Sequence, residues 1–340
     1  MSKTLNNKIP VSILDLAPVI EGTTPEDTFR NSLQLAQHAE ELGYNRYWLS
    51  EHHNMISVAS SATAVLIGFI AGGTKSIRVG SGGIMLPNHS SLAVAEQFGT
   101  LASLYPGRID LGIGRAPGTD GLTAMVLRRS NNLSAEGFPQ QLQELNMYFS
   151  KDNSASKVRA IPGEGVDVPM WLLGSSTDSA FLAAALGMPY AFAGHFAPQQ
   201  MAAAFSIYRK NFQPSANLPQ PYMMACVNVI AADTDEEAQY LATSAYQAFL
   251  GIIRNKRELL QPPVTNMNAI WNEYEEAHVK AMLASSFIGS AATVEAAIEK
   301  FVAQTGINEL MANAHIFDPA AKLHSYELLG EVMGAGGVYA

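Results

Sequence analysis

What most constrains this 340-residue chain is an alternation of short β-like runs with longer helix-like stretches. Residues 11–16, 46–50, 77–86, 108–114, 169–174, 190–193, 222–231 and 309–314 read as strands. Nearly every one is followed by a helical pattern, with Pro, Ser or Thr near the helix start and Gly near its end. The clearest helices span 25–42, 59–72, 91–104, 138–149, 177–186, 198–211, 294–306 and 319–332. A strand that returns to its sheet through a helix must lie parallel to its neighbour, by a right-handed crossover. Eight such units make an α/β fold, a (β/α)8 TIM barrel, taken as one domain over residues 1–340. Insertions are expected after strand four (115–167) and after strand seven (234–287), where the pattern is helical with interruptions. The competing architecture is an open doubly wound sheet. It would carry Gly-x-Gly-x-x-Gly between its first strand and helix, and this chain has none there.

Composition narrows the function. The chain is 48% hydrophobic and 15% charged, enough for a large core, and its formal net charge is -9. No basic cluster exceeds Arg128-Arg129, which argues against nucleic acid or an anionic membrane as partner. A single cysteine, Cys226, excludes an internal disulfide and a cysteine-based metal cage. Met1 to Pro10 is polar and without a signal-peptide core, and apolar stretches break well short of a membrane span. The expectation is a cytoplasmic enzyme.

In a barrel, chemistry sits at the C-terminal ends of the strands. That rule selects Asp15 to Pro18, Glu51-His52-His53, Ser81 to Met85, Gly114-Arg115, Gly174-Ser175-Ser176, Gly194-His195, Asn228 and His315. Glu51-His52-His53 lacks the helical His-Glu-x-x-His spacing of zinc sites, and no metal is expected. One of its histidines suits general acid/base work or donation to an anion; a satisfied, half-buried pair is the plain structural alternative. Gly80-Ser81-Gly82-Gly83 marks a bulge or a close approach by a flat ligand. Arg115 is a fixed cation suited to phosphate. Gly174-Ser175-Ser176-Thr177-Asp178-Ser179 opens a helix, whose N-terminus attracts anions. Together, Arg115 and this turn describe a phosphate cradle. Cys226 reads as a small buried apolar residue. His38, His278 and His324 fall in helical patterns and read as structural or exposed.

These motifs resemble those of the bacterial luciferase-like flavin monooxygenases, non-luminous single-chain members rather than luciferase. The resemblance rests on 47–53 (Tyr-Trp-Leu-Ser-Glu-His-His), 79–87, 107–115 and 171–176 with 186–190, and runs over about 11–330. It implies a (β/α)8 barrel binding FMN at its mouth. Reduced FMN and dioxygen would oxidise a small, hydrophobic organic substrate through a flavin peroxide. It makes His52 the catalytic histidine, and it joins Gly82 and Gly83 by a cis peptide bond beneath the flavin. It assigns Arg115, Ser176 and Ser179 to the phosphate, with His53, Gly174 and Ser175 also at the cofactor. It implies a separate flavin reductase, a homodimer through the 59–72 helix, and a mobile loop over about 248–287. A deazaflavin coenzyme transferring hydride, or a non-catalytic flavin-binding protein, are the alternatives on this fold. Two positions depart from luciferase: Gly114 stands where luciferase has a reactive cysteine, and Ser175 where it has a carboxylate. Light emission is therefore not expected.

Overall fold

The computed structural model describes residues 9–129 and 137–335; most of the Met1 to Pro10 stretch and part of the 115–167 insertion lie outside them. The strands are β1 (Val11–Asp15), β2 (Arg46–Leu49), β3 (Arg78–Ser81), β4 (Ile84–Met85), β5 (Ile109–Gly114), β6 (Met170–Gly174), β7 (Tyr190–Ala193), β8 (Met223–Ala232), β9 (Ser286–Ser290) and β10 (Glu309–Asn313). Their ladders are all parallel. β1 pairs with β2 and β2 with β3, then the order runs through β5, β6, β7 and β8. β8 pairs with β10 and β10 with β1, which closes the ring. β3 and β4 both pair with β5 and act as one stave interrupted at Gly82-Gly83. The result is an eight-stave (β/α)8 barrel, as the alternation predicts.

The helices are α1 (Pro25–Glu41), α2 (Thr63–Gly73), α3 (Ser91–Leu104), α4 (Gly121–Arg128), α5 (Phe138–Phe149), α6 (Thr177–Leu186), α7 (Met201–Asn211), α8 (Asp235–Ile253), α9 (Glu273–Met282), α10 (Ala291–Thr305) and α11 (Pro319–Met333). α1 shows why they start where they do. Thr24 accepts from Asp27 N, the Asp27 carboxylate accepts from Thr24 N, and Pro25 supplies the first helical φ. Its buried residues Thr28, Ser32, Leu35, Ala36 and Ala39 form one stripe at helical spacing.

Alternation along the strands separates two interiors. Ile13, Tyr47, Val79, Leu111, Leu172 and Leu310 point outward and pack beneath the helices. Leu14, Trp48, Trp171, Met224, Cys226 and Met311 fill the lumen, where the Trp48 and Trp171 rings meet edge-on at 5.3 Å. Below them, at the strand starts, lies a charged plug. Arg46 donates to Asp110 Oδ2 at 2.7 Å and to Glu309 Oε1 at 2.9 Å, and Tyr222 OH donates to Glu309 Oε2 at 2.9 Å. Buried charges are tolerated when paired this completely. The lower barrel is thus filled, and a ligand has only the C-terminal mouth.

The structure corrects the sequence reading in three places. Residues 286–290, of which the first two closed a stretch read as helical and the rest had no strand reading, form β9, which pairs with 228–232 of β8 and overlaps the part that meets β10 only at Asn228. The strand exists because β8 runs ten residues and outlasts its ring partner. α2 starts at Thr63 rather than at 59, because 59–62 is held by strand ends: Ala59 N donates to Ala17 O and Ser60 Oγ to Ser50 O. α4 lies in a stretch read as irregular, capped by Asp120 accepting from Thr123 N at 3.0 Å.

The insertion after β8 has a small core of its own, with Phe249, Leu250, Met267, Trp271, Val279 and Leu283. It is tied to the barrel where Leu260 N donates to Val19 O and Glu21 N to Leu260 O. Among the described residues, no helix is long and apolar enough to cross a membrane.

Candidate active site

β2 stops at Leu49, so the next four residues are free of the strand's alternation. Glu51 is 1% exposed. Its Oε1 accepts from His53 Nε2 at 2.8 Å and from His89 Nε2 at 2.9 Å, and its Oε2 accepts from Met85 N at 3.1 Å. Burial raises the Glu51 pKa, but the His53 and His89 hydrogen bonds outweigh it and bring it down to about 2. Glu51 therefore ties the end of β2 to β4. The three groups also offer ligand atoms within 4.8 Å of one another, a donor set of metal-binding type. In the arrangement seen, imidazole protons fill the carboxylate oxygen. His52 turns elsewhere: Nδ1 lies 3.1 Å from Ser50 Oγ, and its backbone N donates to Ser60 O. Burial, then the Arg257 charge, lower its pKa to about 4, so it is neutral at neutral pH.

Gly82 and Gly83 are joined by a cis peptide bond. A Cβ on Gly82 would come 2.6 Å from Leu14 Cδ1, and one on Gly83 2.7 Å from Gly112 O. The backbone contact makes Gly83 a requirement of the barrel wall, whereas a Cβ on Gly82 would only displace the end of the Leu14 side chain.

At the next two strand ends, Arg115 is about half exposed, and its nearest carboxylate is Asp178 at 3.8 Å. An exposed pair at that separation contributes little, which leaves the guanidinium available to an anion. Ser176 is the N-cap of α6 and makes no side-chain cap bond, while Thr177 N donates to Gln200 Oε1 at 3.2 Å. Ser179 Oγ donates to Ser176 O at 2.7 Å and meets Tyr190 OH at 2.9 Å, so its hydroxyl is engaged within the turn. Gly174 is what admits it: a Cβ there would lie 2.0 Å from Ser179 Oγ. Ser175 is half-buried on the same turn.

The opposite arc of the mouth is lined from β7, β8 and β10. Asn228 Nδ2 donates to His195 O at 2.7 Å, and Asn228 faces Asn313 in the β8–β10 register. Burial, then His315 and His52, lower the His195 pKa to about 3. Burial, then Lys322, lower that of His315 to about 4. Cys226 lies below in the lumen, 4% exposed, its thiol pushed up by burial.

Because every ladder is parallel, the strand ends carrying His52, Gly82-Gly83, Arg115, Ser176, His195 and His315 share one rim. Sequence reasoning missed His89 and Asn313. His89 follows a short 3-10 turn (Leu86–Asn88) and has no local signal. Asn313 had one: it lies two residues beyond the lumen-facing Met311 and so points the same way.

The sequence profile of a family described as luciferase-like monooxygenase matches residues 10–309. An Escherichia coli K12 protein named luciferase-like monooxygenase is 49% identical over 324 residues, 95% of this chain and 97% of that one. The crystal structure of apo-MsnO8 superposes with a TM-score of 0.86 at 35% identity, covering 96% and 98% of the two chains. Two more distant structures share the fold. The oxygenating constituent of 3,6-diketocamphane monooxygenase from Pseudomonas putida, in complex with FMN, has a TM-score of 0.74 at 18% identity, with 96% and 98% covered. An F420-dependent secondary alcohol dehydrogenase has 0.68 at 14%, with 97% and 99% covered.

Proposed function

Because the chain belongs to the luciferase-like monooxygenase family, we propose that it is an FMN-dependent monooxygenase acting on a small organic substrate. Bound and reduced, the flavin would supply the electrons with which dioxygen places one oxygen atom in the substrate and releases the other as water. The observation that supports this best is a neutral histidine, His52, on the same rim as a weakly partnered arginine beside a helix N-terminus. Arg115, the Ser176 hydroxyl and the first amides of α6 would hold the phosphate, with Ser175 beside them. Gln200 and Asp178 would give way to it. Gly82 and Gly83 keep side chains out of the wall between β3 and β5. His52 Nδ1 is directed to Ser50, which leaves Nε2 to hold or move a proton. His53 and Glu51 orient this end of β2. The filled lumen excludes water from below.

A separate reductase would supply reduced FMN, and both would work in the cytoplasm. α2 exposes Val65 and Phe69, 72% and 45% accessible, a face suited to pairing with a second copy. The test is titration with FMN and with the deazaflavin coenzyme side by side, then oxygen uptake with pre-reduced FMN. FMN binding with oxygen uptake is expected, and His52→Ala should lose oxygenated product while keeping FMN. Binding of the deazaflavin alone, without oxygen uptake, supports hydride transfer. Tight oxidised FMN without turnover supports a carrier.

A further inference from the structure

We propose that the arc formed by β7, β8 and β10 is the substrate subsite, and that Asn313, His195 and His315 bind a neutral amide group of the substrate. The proposal rests on the monooxygenase reading and gives it a substrate class. Three polar atoms there are buried without a protein partner: Asn313 Oδ1, His195 Nδ1 and His315 Nδ1. Asn313 and His195 are 3% and 7% exposed. Buried polar atoms are ordinarily paired, so three on one arc call for a ligand.

Register brings them together. Asn313 sits opposite Asn228 on β8, and Asn228 holds the loop after β7 through the His195 carbonyl. His195 lies within electrostatic reach of both His315 and His52, the latter on the flavin side of the proposal. Phe249 and Phe196 flank the two rings edge-on, at 5.9 Å from His315 and 4.8 Å from His195.

The chemistry of the three atoms selects the ligand. Asn313 Nδ2 donates to Leu14 O at 3.1 Å, and a carbonyl can only accept, so the amide cannot flip. Its free atom is thus an acceptor and requires a donor. A carboxylate has none. The imidazoles are neutral and can each donate from Nδ1 to a carbonyl. A secondary amide satisfies both, its N–H to Asn313 and its C=O to a histidine. The hydrophobic substrate expected from the sequence would then be an apolar body with a polar head. Cys226 and Met311, directly beneath on the same strands, suit that body.

Three probes of equal tail separate the possibilities: N-methylhexanamide, N,N-dimethylhexanamide and hexanoate, titrated calorimetrically into the protein with and without oxidised FMN. The first should bind at least about tenfold more tightly than the other two, since only it both donates and accepts. Asn313→Leu should erase the preference for N-methylhexanamide over the dimethyl compound. His195→Phe should weaken both amides together. Equal binding of all three, as when water alone meets these atoms, would overturn the proposal, as would tightest binding of hexanoate. The wild-type comparison decides even where a variant fails to fold. FMN titration is a separate readout: an amide preference without FMN binding sinks the flavin reading alone, and FMN binding without the preference sinks the subsite alone.

Discussion

Glu51→Gln keeps the size of a buried side chain and removes its charge. All three protein contacts of Glu51 are donors aimed at oxygen: His53 Nε2, His89 Nε2 and Met85 N. An amide must turn its NH2 group toward one side. Facing Met85 it opposes donor to donor. Facing the imidazoles, the NH2 group meets the two Nε2 donors and requires both rings to change tautomer. One charge-assisted contact is lost and the others are weakened, which costs about 3 kcal/mol. At about 2.1 cal/mol/K per residue, the 340-residue chain has an unfolding entropy near 0.7 kcal/mol/K. The expected fall in Tm is then about 4 °C. The pH dependence gives a second check. The folded carboxyl, at about 2, lies below its ordinary value of 4.5, so its contribution is complete above 4.5 and lost as pH falls toward 2. The Tm difference between wild type and variant should be full at neutral pH and shrink progressively below 4.5. Differential scanning calorimetry across that range is the assay. A variant melting within about 1 °C of wild type at neutral pH, or a difference that ignores pH, would refute the role given to Glu51.

Three further outcomes are expected. Arg115→Ala should weaken FMN binding by about 1.5–3 kcal/mol, the loss of a charge-assisted bond, and unchanged affinity by titration would remove Arg115 from the cradle. His195 and His315, at about 3 and 4 against an ordinary 6.5, take up protons only when unfolded over most of that interval. Urea midpoints should therefore fall as pH drops from 6.5 toward 4, and a flat or rising profile would contradict the buried neutral state. Gly112→Ala puts a Cβ 2.0 Å from the Ser81 carbonyl, whereas Gly137→Ala meets nothing within 4 Å. The first should cost about 3 kcal/mol or more in denaturant titrations and the second almost nothing; equal stabilities would show that the β3–β5 wall yields.

The sequence by itself determined the barrel. Strand and helix periods differ, glycines punctuate them, and parallel crossovers leave few ways to close eight units, so local chemistry carried that information. It also placed His52, Arg115, Ser176, His195 and His315 at strand ends, because the fold dictates where chemistry can sit. Tertiary structure alone decided which of these groups touch. That Glu51 gathers His53, His89 and Met85 depends on the loop after β4 folding back onto β2, a contact 38 residues apart with no periodic trace. That Ser179 also meets Tyr190, beyond its local bond to Ser176, depends on β6 and β7 lying side by side. β9 was hidden for the same reason: the edge offered by the length of β8 makes 286–290 a strand.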